Sequence, residues 1–183
     1  MYKLRELRRE DVAAINGWRA DPELIGFLGA PFRFIGPEVD EAWFDSYLSS
    51  RGSCIRCAVV EEGDPGTILG LVTLAGIDWV CRSAVLHIMI GEAQNRGKGM
   101  GSFAVEAMLE HAFDDMGLHR VELSVLASNA RAKRLYEKEG FVLEGTKRRA
   151  VFKSGRYCDM DMMAILVDEW RFRKASTSKE EGR

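Results

Sequence analysis

No apolar run in this 183-residue chain approaches the roughly 20 residues that a membrane-spanning helix needs. The opening Met1-Tyr2-Lys3-Leu4-Arg5 also lacks the apolar stretch of a secretory signal. The expectation is a cytoplasmic protein without membrane contact. Charge of one sign is missing as well. A net charge of −2 gives no bulk attraction for nucleic acid or an anionic surface. Metal-ligand spacing is lacking too. Cys54 and Cys57 form a single CxxC, Cys81 and Cys158 are solitary, and His87, His111 and His119 show no paired helical spacing. No second pair completes a zinc site. Cys54 and Cys57 fall in an apolar, strand-like stretch, where residues three apart face opposite sides. Structural thiols are expected, and no metal.

What is present is enough for one core. The length suits a single domain of roughly 100–200 residues, and 46% hydrophobic with 30% charged residues allows a buried interior under a charged surface. Tyr2 to Leu7 predicts a strand, and Glu10 to Ala20 a helix, with Val12, Ile15 and Trp18 at helical spacing and Pro22 ending it. An aromatic loop (Gly26 to Gly36) precedes a helix from Pro37 to Leu48. Ile55–Glu61 and Ile68–Ile77 flank Gly63-Asp64-Pro65-Gly66 and predict a hairpin, followed by a strand at Ala84–Ile90. A helix is expected from Ser102 to Met116, with Gly117 stopping it, then a strand at Val121–Leu126. A short helix follows at Ala130–Glu139, capped by Asn129 or Ser128. Val151–Lys153 and Tyr157–Leu166 complete the pattern, and the charged residues from Arg171 are expected to form a disordered tail. The sum is one mixed α/β domain over 1–170 and a tail over 171–183.

The informative segment is Gln94-Asn95-Arg96-Gly97-Lys98-Gly99-Met100-Gly101. Glycines after a strand let a ligand approach the backbone, and the helix that follows offers free N–H groups and the positive end of its dipole. Arg96 and Lys98 add charge, so the turn is built for an anion, most plausibly a pyrophosphate. It is not a P-loop, because Glu92 replaces the first glycine and Gly99 follows Lys98. Nor is it a dinucleotide fingerprint, because Ser102 fills the last glycine position.

Gln94-x-x-Gly97-x-Gly99 resembles the Q/R-x-x-G-x-G/A signature of the GNAT family of N-acetyltransferases. Asn129-x-x-Ala132-x-x-Leu135-Tyr136 through Gly140-Phe141 resembles that family's second block. The opening Leu4-Arg5-x-Leu7 and the closing Gly155-Arg156-Tyr157-x-Asp159 are similar to the branch of ribosomal-protein N-terminal acetyltransferases. The resemblance implies a mostly antiparallel sheet splayed between its fourth and fifth strands and flanked by about four helices. It also implies acetyl-CoA as acyl donor. Pantetheine would lie along Ile88, Met89 and Ile90, with Leu123-Ser124-Val125 opposite. The pyrophosphate would sit on Gln94, Arg96, Gly97, Lys98, Gly99, Met100, Gly101 and Ser102, and Asn129 and Tyr136 would complete the donor site. Two positions depart from the branch: His87 stands where a small residue is usual, and Val85 where an acid is.

The implied reaction is direct attack of an amine on the thioester, which needs no serine or cysteine nucleophile. Tyr136, with a reference pKa near 10, is the expected proton donor to the leaving thiolate. The base is open among Glu122, Asp78 and His87, with a water chain as a further route. The acceptor is expected to be a low-pKa amine, first a protein N-terminal α-amine and then a small amino metabolite, in a monomer or homodimer. A silent acyl-CoA-binding sensor is the alternative. Lys147, Arg148, Arg149, Lys153 and Arg156 cluster near one hairpin and are read as a solvated edge or a rim for an acidic acceptor or a CoA phosphate, not as an RNA-binding face.

Overall fold

The computed structural model describes residues 1–181, with side chains to residue 176. Seven strands form one sheet: β1 (Tyr2–Glu6), β2 (Ile55–Glu61), β3 (Asp64–Asp78), β4 (Ser83–Ile90), β5 (Arg120–Leu126), β6 (Val142–Lys153) and β7 (Arg156–Leu166). Their order is β1-β2-β3-β4-β5-β7-β6. Every pairing is antiparallel except β4 with β5. Six helices surround it: α1 (Val12–Arg19), α2 (Pro22–Phe27), α3 (Pro37–Ser49), α4 (Met100–Glu110), α5 (Ala130–Lys138) and α6 (Val167–Glu181).

The one parallel pair dictates the architecture. Parallel neighbours need a long crossover, and α4 supplies it between β4 and β5. Val105, Met108 and Leu109 of α4 are fully buried against Val72, Leu74 and Leu86 of the sheet. The opposite face carries α1–α3, with Ile15, Trp18, Phe44 and Tyr47 packed on Ala58, Val60 and Leu71. Among the described residues the buried carboxylates are paired, which offsets their desolvation. Asp11 accepts two bonds of 2.8 Å from Arg5 and joins β1 to the start of α1. Asp161 on β7 accepts from Lys133 and Thr146, both at 2.6 Å, and so ties α5 down.

Several elements differ from the sequence-based expectation. Pro22 does not only end α1: it opens α2, whose N-cap Asp21 accepts from Glu23 N–H at 2.9 Å. β3 begins at Asp64, four residues early. β6 spans twelve residues and not three. Its segment Val142–Arg149 is solvent-exposed throughout, Val142 and Leu143 included, so neither apolar alternation nor a buried face marks it as strand. The segment from Arg171, expected as a disordered tail, is helical through Glu181; residues 182 and 183 lie outside the described residues. Trp170 is buried on Phe113, ring centroids 5.4 Å apart, and anchors that helix.

One contact sets where α1 lies. A Cβ at Gly91, just past β4, would come within 2.1 Å of the Trp18 indole. Gly91→Ala is expected to cost about 1–3 kcal/mol by overpacking, or about 2–4 °C of Tm per kcal/mol. Gly145→Ala, where no atom lies within 4 Å, serves as the control; equal thermal melts for the two variants would show that Trp18 yields freely.

Candidate active site

β4 and β5 pair only at Ser83–Arg120, Ala84–Val121 and Val85–Glu122. Beyond that point the strands part, and the edge of β4 that faces β5 loses its ladder from Leu86 to Ile90. Unpaired strand N–H and C=O groups form a template for an extended ligand. A cleft of about 650 Å³ opens there. Its floor is β4, one wall is α5, one end is the glycine turn, and its roof is the segment Leu24–Ala30.

The glycine turn has the backbone its sequence calls for. Gly97 and Gly99 have φ of +86° and +83°, and Gly99 is the residue before α4. No protein atom lies within 4 Å of a Cβ built at Gly99, so the backbone is open to a ligand. The first N–H groups of α4 have no partner within the helix. Arg96 donates through Nη2 to Gly91 O at 2.9 Å, while its Nε is sealed from solvent without a partner. An open turn, free helix N–H groups and the Arg96 guanidinium suit a pyrophosphate, and Arg131 adds a second cation on the same side. Sequence reasoning had not singled out Arg131; its place one turn before Leu135 on α5 was the available signal.

Of the expected donor-site residues, Ile88, Met89, Ile90, Arg96, Gly97, Gly99, Gly101, Ser102, Asn129 and Tyr136 line the cleft. Three do not. Gln94 is turned to Glu92 at 2.5 Å, the Lys98 side chain is exposed, and Met100 is buried in the core. Asn129 caps α5, accepting from Ala132 N–H at 3.1 Å, and donates to Phe27 O at 3.0 Å, so both ends of its amide serve the protein.

The Tyr136 ring is buried against Phe141, with centroids 5.8 Å apart. Burial pushes its phenol pKa up to about 12. Among the described residues its hydroxyl has no protein partner, and it borders the cleft. The three expected bases separate cleanly. Glu122 sits where β4 and β5 still pair, held by Arg120 at 3.0 Å, and does not line the cleft. Arg120 also binds Glu144 at 2.5 Å. Asp78 lies at the β3–β4 turn, accepting from Val80 and Cys81 N–H at 2.8 Å, again outside the cleft. His87 alone of the three lines it. Its ring opens to the cavity but is set among dense protein; that desolvation, with the Arg56 guanidinium, holds its pKa below the usual imidazole value.

Among the described residues, no group of three or more His, Cys, Asp or Glu side chains could hold a metal, and no helix is long and apolar enough to cross a membrane.

A splayed sheet with an anion turn at the mouth of the splay defines an acyl-CoA site, and comparison with known proteins agrees. The acetyltransferase (GNAT) domain model matches residues 2–142, so the chain belongs to the GNAT acetyltransferase family. It is 36% identical over 168 residues to a spermidine N(1)-acetyltransferase of Vibrio cholerae, covering 91% of this chain and 94% of that one. It is 33% identical to the L-amino acid N-acetyltransferase AaaT of Escherichia coli, covering 88% and 95%. The crystal structure of the Vibrio cholerae spermidine N-acetyltransferase with CoA and spermine superposes with a TM-score of 0.85 at 27% identity, covering 92% of this chain and 97% of the other. The chain is therefore an acetyl-CoA-dependent N-acetyltransferase, and the silent sensor is set aside.

Gly99→Val forces a β-branched residue into φ of +83° and puts carbon where the ligand must approach. Calorimetry is expected to give at least tenfold weaker acetyl-CoA binding by a folded protein. Undiminished affinity would detach the phosphates from this turn.

Proposed function

We propose that this chain acetylates a small primary amine that carries no second positive charge, with Tyr136 as general acid and His87 as proton acceptor. The observation that carries the acceptor reading is the composition of the cleft. Among the described residues that line it, none is Asp or Glu. A polyamine keeps further ammonium groups beside the one that reacts. Taking each from water without an anionic partner costs several kcal/mol, and every 1.4 kcal/mol is tenfold in affinity. The relatives named for spermidine support the donor and the size of acceptor, but their polyamine does not suit a cleft without carboxylates. The name of the L-amino acid acetyltransferase fits better, since a zwitterion brings no net charge. The earlier first choice, a protein N-terminal α-amine, yields to the second, a small amino metabolite. Two relatives that match over nearly their whole length are named for small amines. A putative ribosomal N-acetyltransferase of Bacillus subtilis matches only 60% of this chain.

In the reaction the amine nitrogen bonds to the thioester carbonyl carbon and the carbon–sulfur bond breaks. His87, neutral at pH 7 because its pKa is depressed, takes the proton that the attacking nitrogen sheds. Tyr136, kept protonated by burial, gives its proton to the departing sulfur and regains one from solvent. The β4 backbone from Leu86 to Ile90 holds the donor extended, and the apolar walls exclude water that would hydrolyse the thioester.

Competition among L-methionine, glucosamine and spermidine, with acetylated products counted by mass spectrometry, tests the acceptor class. Either of the first two is expected to lead, and a clear preference for spermidine would overturn the reading. Tyr136→Phe is expected to lower kcat by about 10²–10⁴-fold with acetyl-CoA affinity retained, and wild-type activity is expected to show no loss up to pH 10, because the phenol ionises near 12. With rates referred to the concentration of neutral amine, the acid limb of kcat/KM is expected below pH 6.5, the ordinary imidazole value from which His87 is lowered, and to vanish in His87→Gln. An acid limb unchanged in that variant would return the base to water.

A further inference from the structure

The roof of the cleft is a six-residue helix and a short loop, Pro22 to Ala30, and its carbonyls are satisfied from outside. Phe27 O accepts from Asn129. Ile25 O, Leu28 O and Ala30 O all accept from one side chain, the ammonium of Lys153, at 2.8 Å for Ala30. Lys153 ends β6 beside the Ser154-Gly155 turn and is only 8% exposed. Among the described residues no carboxylate pairs with it. Three donors meet three carbonyls, which is the full capacity of the group.

An ammonium buried without an anion is costly, and burial does pull this lysine below the usual range. An apolar residue at the end of β6 would close the same space at lower cost. What the lysine adds is direction: it draws three carbonyls to one point and so fixes the turn that follows α2. That turn brings Leu28, Gly29 and Ala30 over the cleft. The fit beneath is tight, since a Cβ at Gly29 would lie 2.9 Å from Met160 of β7.

We propose that Lys153 is a positioning residue for the acceptor half of the site. It holds Ile25–Ala30 closed over the cleft and thereby sets how well the amine binds; its own contacts are to Ile25, Leu28 and Ala30, while Phe27 between them lies against Arg96 of the glycine turn. The proposal rests on the proposed reaction and takes the part of the cleft under Leu28–Ala30, beside Met160 of β7, as the acceptor side.

The test compares wild type with Lys153→Gln, which keeps two donors, and Lys153→Met, which keeps none. Hydrogen exchange is expected to speed up at least tenfold for the amides of residues 24–30, more in Met than in Gln, while α4 and β5 keep their protection. With L-methionine as acceptor, or spermidine if wild type turns that over faster, KM for the amine is expected to rise tenfold or more and KM for acetyl-CoA to rise clearly less, since Phe27 also lies against Arg96. Unchanged exchange in the roof, exchange raised evenly across the sheet, or an equal rise in both KM values would overturn the proposal. So would failure of both variants to fold, which would make Lys153 a support of the whole domain. If wild type acetylates neither amine, the acceptor reading fails while the exchange data still decide the role of Lys153.

Discussion

The site depends on a ladder that stops. Three residue pairs join β4 to β5, ending at Val85 and Glu122, and everything functional lies beyond that point. Had the pairing continued, the edge of Leu86–Ile90 would be satisfied by Leu123–Leu126 and no cleft would exist. What holds the strands apart is packing on both sides. α4 is wedged under β3 and β4 through its fully buried stripe, while β5 is held on its other flank by a seven-pair register with β7. The closed end is pinned by the Arg120 fork between Glu122 and Glu144. That use occupies the Glu122 carboxylate, which does not line the cleft.

In the proposed reading, the donor and acceptor halves of the cleft are built by different means. The donor half is backbone: positive-φ glycines, the first turn of a helix, an open strand edge. Such a site is rigid and indifferent to most side chains. The acceptor half is made of side chains and a borrowed roof, so its character follows from which residues line it. The absence of carboxylates among the described lining residues is therefore informative, whereas the glycine turn says nothing about the amine.

This division also explains what could be read in the sequence. Gly97, Gly99 and the Asn129-to-Phe141 block were legible because backbone geometry restricts residue choice to a recognisable few. The buried stripe of α4 was legible through its periodicity. α2 was not, because six residues offer too little periodicity and Pro22 reads equally as a stop or a start. Most of β6 escaped because a strand that buries neither face has no hydrophobic signature, and the helix beyond Arg171 because its residues are nearly all polar. Among the bases, sequence placed Glu122, Asp78 and His87 near the right strands but could not tell that two of them point to the closed end. Lys153 was read as one of a cluster of surface cations. Only the fold reveals that it turns inward to three carbonyls 123 to 128 residues away in sequence.

β6 is the outer strand on that side of the sheet, exposed along nearly its whole length and paired on one side alone. Such an edge would ordinarily recruit further strands into aggregates. Here its register breaks between Lys147 and Val151, Arg149 takes a positive φ of 52°, and Lys147, Arg148 and Arg149 stand in succession on it. A broken register offers no straight run of donors and acceptors, and three adjacent cations repel a like strand. The same charged run that gave this strand no hydrophobic signature thus guards its open edge.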